Sequence, residues 1–444
     1  VKRTSSLALA HFSASISPHR STMSDSEEAV QRQYDSYIKD AALRELVLPG
    51  GVPNRAPIRL LKASFVMRMG NCKVGRRQEL EEAAFASPEM LERALKEVAE
   101  TAADGGARCH YPAIVAVSYC WASPEHPDPE GKQFAMLQTM IRWYMANRAA
   151  RGLDPDFCLF IDFHCLYQGA DRTKEQLALF LQGLHSMDVV YAHRGTGVWV
   201  LSKPPDAVAA DPARGSYFDR GWTSFELRVS SLAKSGSHVL DMGSFELERT
   251  AAGPTLMEKT PEAFLAMSDA DKKALADPPG SQGNHWPDEG FLATLAKGRE
   301  GPMHPAAFAE VIKSKNFSNE SDKETVAGLF EKVATAVLAS LETAHFGFVT
   351  WTPEQLASMG GSMTLCTKAR VLDLYGCSMR SEGLAAFARN LTPAAAPALE
   401  TLYLRGNELD GEEGWVELGG SLARGAMPRL KELRLYACSM RSEG

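Results

Sequence analysis

The chain contains no GxGxxG run and no GxxxxGK[ST] run, so neither a Rossmann dinucleotide fingerprint nor a P-loop is encoded. Its 8 cysteines include no CxxC pair and no metal-ligand spacing. That argues against a disulfide framework or a zinc site and favours a reducing compartment. Excess positive charge is also missing. A net charge of −7 leaves no electrostatic footprint for nucleic acid or an anionic membrane. No apolar run approaches the length of a membrane span. No histidine sits in a Ser/His or Cys/His arrangement that would suggest a hydrolase triad, and His164 reads as a packing or locally bonded residue.

What remains is an ordinary globular composition, 45% hydrophobic and 23% charged over 444 residues. That length implies two or three domains. Residues 1–28 read as a disordered leader. The first 22 residues lack acid and are rich in Ser, superficially like an organelle transit peptide. A translated leader ahead of Met23 is the preferred reading, with a cytoplasmic protein behind it. Residues 29–110 read as helical packing. Within them, Ser87 as N-cap, Pro88 in the first turn and Glu89 mark a helix start.

From Tyr111 the rhythm becomes strand, helix, strand, helix. Strands are expected over 113–119, 157–163, 197–202 and 237–241. The helices between them carry Phe134, Leu137, Ile141 and Tyr144, then Leu177, Phe180, Leu181 and Leu184, then the stretch from Trp222 to Ala233. Such alternation predicts an α/β fold with a parallel sheet covered on both faces. Its functional groups should gather on loops at one edge: Ser118, Tyr119, Trp121, Asp162, Gln168, Ser202, Trp222 and Glu226. If Trp222 opens a helix, Glu226 follows one turn later on the same face. A carboxylate there, beyond a strand's carboxyl end, lies where open α/β sheets place ligands.

These runs carry a family resemblance. VSYCW, LFIDFHCLYQGADRTKEQ and VYAHRGTGVWVLS resemble the fungal heterokaryon-incompatibility (HET) domain. Joined to YFDRGWTSFEL, they also resemble the Toll/interleukin-receptor (TIR) domain. The resemblance covers about 111–241 and implies a flavodoxin-like parallel sheet. It also implies self-association and, by match to the glutamate of the last helix, a catalytic role for Glu226 in cleaving NAD. The nicotinamide–ribose bond breaks through an oxocarbenium-like state, and nicotinamide leaves a cationic ring as a neutral molecule, so one well-placed anion can suffice. NAD would be the substrate, with no further cofactor and no metal. Ser118, Tyr119, Trp121, Asp162, Gln168, Ser202 and Trp222 are the candidate substrate-binding residues. Each has a plainer reading beside it: helix caps for Ser118 and Ser202, a loop cap for Asp162, core for Trp222 and Cys165, and for Glu226 a dipole-satisfied acid or a partner of Arg220 or Lys234. The sequence departs from enzymatic TIR domains in the long Pro/Ala-rich loop 203–216 and the stiff 124–129 loop, which leaves substrate identity open.

Residues 242–348 read as a helical connector, ending in an amphipathic helix over 322–344. Residues 349–444 resemble ribonuclease-inhibitor-type leucine-rich repeats, with the array expected to continue beyond Gly444. Leu399-x-x-Leu402-x-Leu404-x-x-Asn407-x-Leu409 fits the repeat consensus. Copies start at Ala369 and Leu430, with Cys377 and Cys438 in the asparagine position. Asp373, Tyr403 and Arg434 form one row on the concave face, and Tyr375, Arg405 and Tyr436 the next. Tyr and Arg are common interface anchors, so these six are the candidate protein-partner residues; a solvated wall is the plain alternative. The sequence thus predicts a signalling or sensor protein, a candidate NAD glycohydrolase with a repeat module. The alternatives are a non-catalytic adaptor, and a repeat scaffold carrying a degenerate domain.

Overall fold

A computed structural model describes residues 40–69, 74–103, 111–123, 125–203, 215–234, 236–246, 258–276, 295–296, 299–347 and 349–438. The expected leader, most of the 203–216 loop and Met440 lie outside them. The protein is mixed α/β, built on two sheets rich in parallel pairing.

The first sheet has the order β1-β3-β2-β4-β5, with β1 at Leu61–Lys62, β2 at Ile114–Ser118, β3 at Cys158–Phe160, β4 at Gly197–Val200 and β5 at Val239–Asp241. The four parallel strands therefore run second, first, third, fourth in chain order, with β1 antiparallel on the edge. That edge strand, two residues long, carries no period-2 pattern from which it could be read.

Four helices of the first half are α1 (Asp40–Val47), α2 (Ala63–Arg68), α3 (Pro88–Ala103) and α4 (Lys132–Ala150). Helix α3 begins as its sequence implies, the Met90 amide donating to Ser87 Oγ at 3.3 Å. In α4 13 of the 19 residues are buried, because it lies between the sheet and further helices rather than on the surface. Its Tyr144 ring packs on Phe157 and Trp199, and its hydroxyl donates to Pro112 O at 2.9 Å. Following β3 come α5 (Asp162–Cys165), α6 (Lys174–Leu184) and α7 (Met187–Ala192); β4 is followed by α8 (Gly221–Ser230). The connector supplies α9 (Pro261–Ala266), α10 (Asp269–Ala276), α11 (Pro305–Lys313) and α12 (Asp322–Ser340). Helix α4 packs against α2 and α10, whereas α7 and α8 pack on each other and on α12. Different helices thus cover the two faces, as right-handed crossovers require.

The expected strand over 157–163 is cut short because Asp162 opens α5. The expected helix over 322–344 likewise stops at Ser340. Thr343–His345 is instead β6, the first strand of the second sheet. That sheet runs β6-β7-β8-β9, all parallel, with β7 at Val371–Asp373, β8 at Thr401–Tyr403 and β9 at Glu432–Arg434. Between the strands lie α13 (Pro353–Ser362), α14 (Ser381–Arg389) and α15 (Glu413–Ala423), stacked in sequence order. The sheet therefore starts ahead of the expected boundary at 349. Its first unit, with Leu341, Ala344, Phe346, Val349 and Trp351 at the repeat spacing and all buried, has only one leucine to betray it.

Asn407 holds the turns of adjacent strands together. Its amide donates to Leu374 O and Leu404 O at 2.8 and 2.7 Å and accepts from the Cys377 and Met379 amides at 2.9 and 3.0 Å. In the matching positions the Cys377 thiol lies against Phe346 O and Tyr375 O, and the Cys438 thiol donates to Leu404 O.

Candidate functional site

The chain order of the parallel strands reverses beside β2, and open sheets gather ligand groups outside the carboxyl ends at such a point. β2 ends on Ser118, and α8 returns over that end. Helix α8 starts where the chain turns at Gly221: the amide of Gly221 donates to Asn316 O at 3.0 Å, and Phe317 lies over its Cα. A Cβ on Gly221 would sit 1.7 Å from a Phe317 ring carbon, so only glycine fits.

From α8 the Glu226 side chain turns inward. Its carboxylate accepts from Ser118 Oγ at 2.5 Å, and Ser118 in turn shares a hydrogen bond of 2.6 Å with the Tyr217 hydroxyl. The Tyr191 hydroxyl lies between Val117 O, at 3.3 Å, and the same carboxylate. Glu226 is 7% exposed and forms no ion pair among the described residues, so neither Arg220 nor Lys234 is its partner. Lys234 is spent elsewhere, donating to His193 O, Thr196 O and Thr196 Oγ1. Burial, reinforced by the charge of Asp162, raises the Glu226 carboxyl to about 8, against the pull of Ser118 and Tyr191. The same burial pushes the Tyr119, Tyr191 and Tyr217 phenols well above their ordinary range.

Asp162 forms the other half of the cluster, at the carboxyl end of β3. It accepts from the Tyr119 hydroxyl at 2.9 Å, Trp121 Nε1 at 3.1 Å and the Phe163 amide at 2.7 Å. Its carboxyl is also raised, burial being the main cause. Gln168 stands behind it, its amide reaching Asp162 O at 3.4 Å while its backbone is paired with Gln78. Cys165 is a buried, hydrogen-bonded thiol pushed up to about 12 by burial, which suits packing rather than nucleophilic work.

Not every candidate belongs to this cluster. The Trp222 indole does not lie under Glu226. It packs on Phe225 and donates through Nε1 to Asp322 Oδ2 at 3.2 Å, because that side of α8 faces α12. Among the described residues Ser202 caps no helix; its hydroxyl donates to Asp241 Oδ1 at 2.5 Å, at the ends of β4 and β5. Two tyrosines of the site, Tyr191 and Tyr217, are not among the residues that the sequence marks as candidates. Nothing in their local spacing says that they meet Ser118 and Glu226.

In comparisons with protein-family models, curated proteins and solved structures, nothing matches this chain.

Among the described residues no cluster of three or more His, Cys, Asp or Glu could hold a metal ion. No described helix is long and apolar enough to cross a membrane. On the second sheet, strand register puts Asp373, Tyr403 and Arg434 side by side, as their spacing implies. The Arg405 guanidinium lies 4.4 Å from the Tyr375 ring centre and 5.7 Å from that of Tyr403, and Arg434 lies 5.5 Å from Tyr403. Tyr436 is 84% exposed at the end of this array.

Proposed function

We propose that the protein is an intracellular signalling or sensor protein whose flavodoxin-like, TIR/HET-like domain cleaves the nicotinamide–ribose bond of NAD. The convergence of Glu226, Ser118, Tyr191 and Tyr217 at the end of β2, with no basic side chain among the described residues paired to the acid, carries this reading. An unpaired acid is free to answer a cation, and a nicotinamide ring beside it would draw the carboxylate into its ionised form. The ionised group would then stabilise positive charge building on the ribose as nicotinamide departs. Ser118, held by Tyr217, fixes the carboxylate's direction, and Tyr119 and Trp121 orient Asp162, the second acid at the rim.

The second sheet is read as a leucine-rich-repeat module of the ribonuclease-inhibitor type. Its Asp373, Tyr375, Tyr403, Arg405, Arg434 and Tyr436 face would take a protein partner that controls the first domain. Physical coupling between the halves supports this. Helix α8 is held at its start by Trp222 on Asp322, along its length by Arg228 on Glu300 at 3.3 Å, and at its end by Arg299 on Ser231 O at 3.2 Å. Arg299 in turn lies 5.4 Å from both the Phe346 and Trp351 rings of the second sheet's first unit.

The measurement that tests the reading is nicotinamide release from NAD by the full chain, free and clustered, with Glu226→Ala as control. Equal inertness of both proteins would leave the second reading, a non-catalytic adaptor. The near-complete burial of Glu226 favours that alternative: a neutral acid closed against Ser118 can be purely structural.

A further inference from the structure

Arg220 precedes α8 and reaches back to the β2 end, where its Nη1 donates to Trp121 O at 2.8 Å. Its other two nitrogens, Nε and Nη2, are buried and have no acceptor. Those two lie on one edge of the guanidinium and together form the side-on fork that grips two oxygens of a carboxylate or phosphate. Arg299, fully buried near two aromatic rings, lacks partners at Nε and Nη1, which form no such fork. Arg151 is engaged elsewhere, its guanidinium 4.2 Å from the Tyr111 ring centre and its Nη1 donating to Asn147. Lys234 has acceptors for its ammonium.

The fork belongs spatially to the Glu226 cluster. Trp121, whose carbonyl holds Arg220, donates through Nε1 to Asp162 of that cluster, and the charges of Arg220 and Glu226 both act on the Cys120 thiol, with opposite sign. They nevertheless do not pair, for no Arg220–Glu226 ion pair forms among the described residues. An arginine left with an open fork, beside but not on a neutral acid, lacks an anion.

We infer that Arg220 is an oxyanion-binding residue, and that its Nε/Nη2 fork takes a phosphoryl group of the ligand while the Trp121 carbonyl holds the guanidinium in place. The inference rests on the reading of this cluster as a nucleotide site, and deepens it: the ligand must carry phosphate on the side opposite the bond that Glu226 serves. A pyrophosphate-bridged dinucleotide does; a bare nucleoside does not. The fork is covered in this structure, so the ligand enters by displacing what lies over it.

The test uses the full chain carrying Glu226→Gln, which keeps binding separate from turnover. Calorimetric titration with ADP-ribose should give saturable binding. Adding Arg220→Lys, which keeps the charge and can still reach Trp121 O but has no fork, should weaken it by about tenfold or more. Nicotinamide riboside, which has no phosphate, should bind both proteins alike. Inorganic pyrophosphate binding as tightly as ADP-ribose would mark a site for free phosphate compounds rather than a nucleotide. Without any variant, ADP-ribose should raise the thermal midpoint of the wild-type chain further than nicotinamide riboside does at the same concentration. Unchanged ADP-ribose affinity in the Arg220→Lys protein, or no phosphate-dependent rise in midpoint, overturns the inference. Absence of nicotinamide release with Arg220-dependent ADP-ribose binding intact would instead remove only the cleavage reading.

Discussion

Ser118 Oγ donates to Glu226 Oε2 at 2.5 Å, tying the last residue of β2 to the middle of α8. This contact and the burial around it set the protonation of the acid, and with it the pH dependence of stability. The Glu226 carboxyl moves from 4.5 to about 8 on folding. Between those values the folded chain holds a proton that the unfolded chain has released. Its contribution is fully present below about 4.5 and is lost as pH rises through about 8. Wild type should therefore lose stability relative to Glu226→Gln by roughly 1.4 kcal/mol per pH unit in that window. Urea titrations of both proteins from pH 5 to 9 measure the difference. Asp188, raised by burial to about 7, acts with the same sign but is common to both.

Activity should respond in the opposite direction. On the proposed reading the ionised acid does the work, so kcat/KM for nicotinamide release should climb with pH and level off above about 8, the value of the ligand-free site. Replacing Glu226 by Gln should lower the rate by roughly 100-fold to 1,000-fold, as loss of a preorganised electrostatic group does. A flat pH–rate profile for an active wild type would show that another group carries the reaction.

Trp222 serves as a structural link. Trp222→Phe removes the donor to Asp322 Oδ2 while keeping the ring against Phe225. A loss of about 1–2 kcal/mol in stability is expected, with ligand affinity at the Glu226 cluster little changed. Asp322→Asn, which can still accept from the indole, should be milder in the same denaturation assay.

Gly221→Ala would drive a methyl into the Phe317 ring at the start of α8. Overpacking of this kind costs about 1–3 kcal/mol and shifts the helix that carries Glu226. Thermal melts and the nicotinamide assay should both register the change, and adding Phe317→Leu should recover part of each.

Asn407→Ala removes an amide that satisfies two buried carbonyls and two buried backbone N–H groups. With several groups orphaned at about 1–3 kcal/mol each, the second sheet should unfold at markedly lower denaturant. Leu418→Ala, a cavity in the same half without orphaned polar groups, should cost about 2–5 kcal/mol and provides the comparison in the same titration.

Much of the fold was legible because it is local. The alternating apolar runs that became β2, β4 and α4, the Ser87–Pro88 start of α3, and the leucine spacing from Ala369 onward are patterns within a few residues of one another. Strand β1 and the Leu341–Trp351 unit escaped notice for the converse reason. One is too short to show a period, and the other fills its leucine positions with Ala, Phe, Val and Trp. Placing Trp222 beneath Glu226 failed because helical spacing gives a face, while the neighbour on that face, here α12, decides where a long indole points.

What the sequence determined by itself is most of the elements, their order, and the row Asp373–Tyr403–Arg434, since periodicity and register are properties of adjacent residues. The strand order around β2 was settled only in three dimensions. It brings Glu226 onto Ser118 across 108 positions and Arg220 onto Trp121 across 99, leaving, among the described residues, the acid unpaired and the guanidinium fork open. No local pattern holds that information. Which distant polar groups meet, and whether they are then satisfied, depends on how the whole sheet buries its faces.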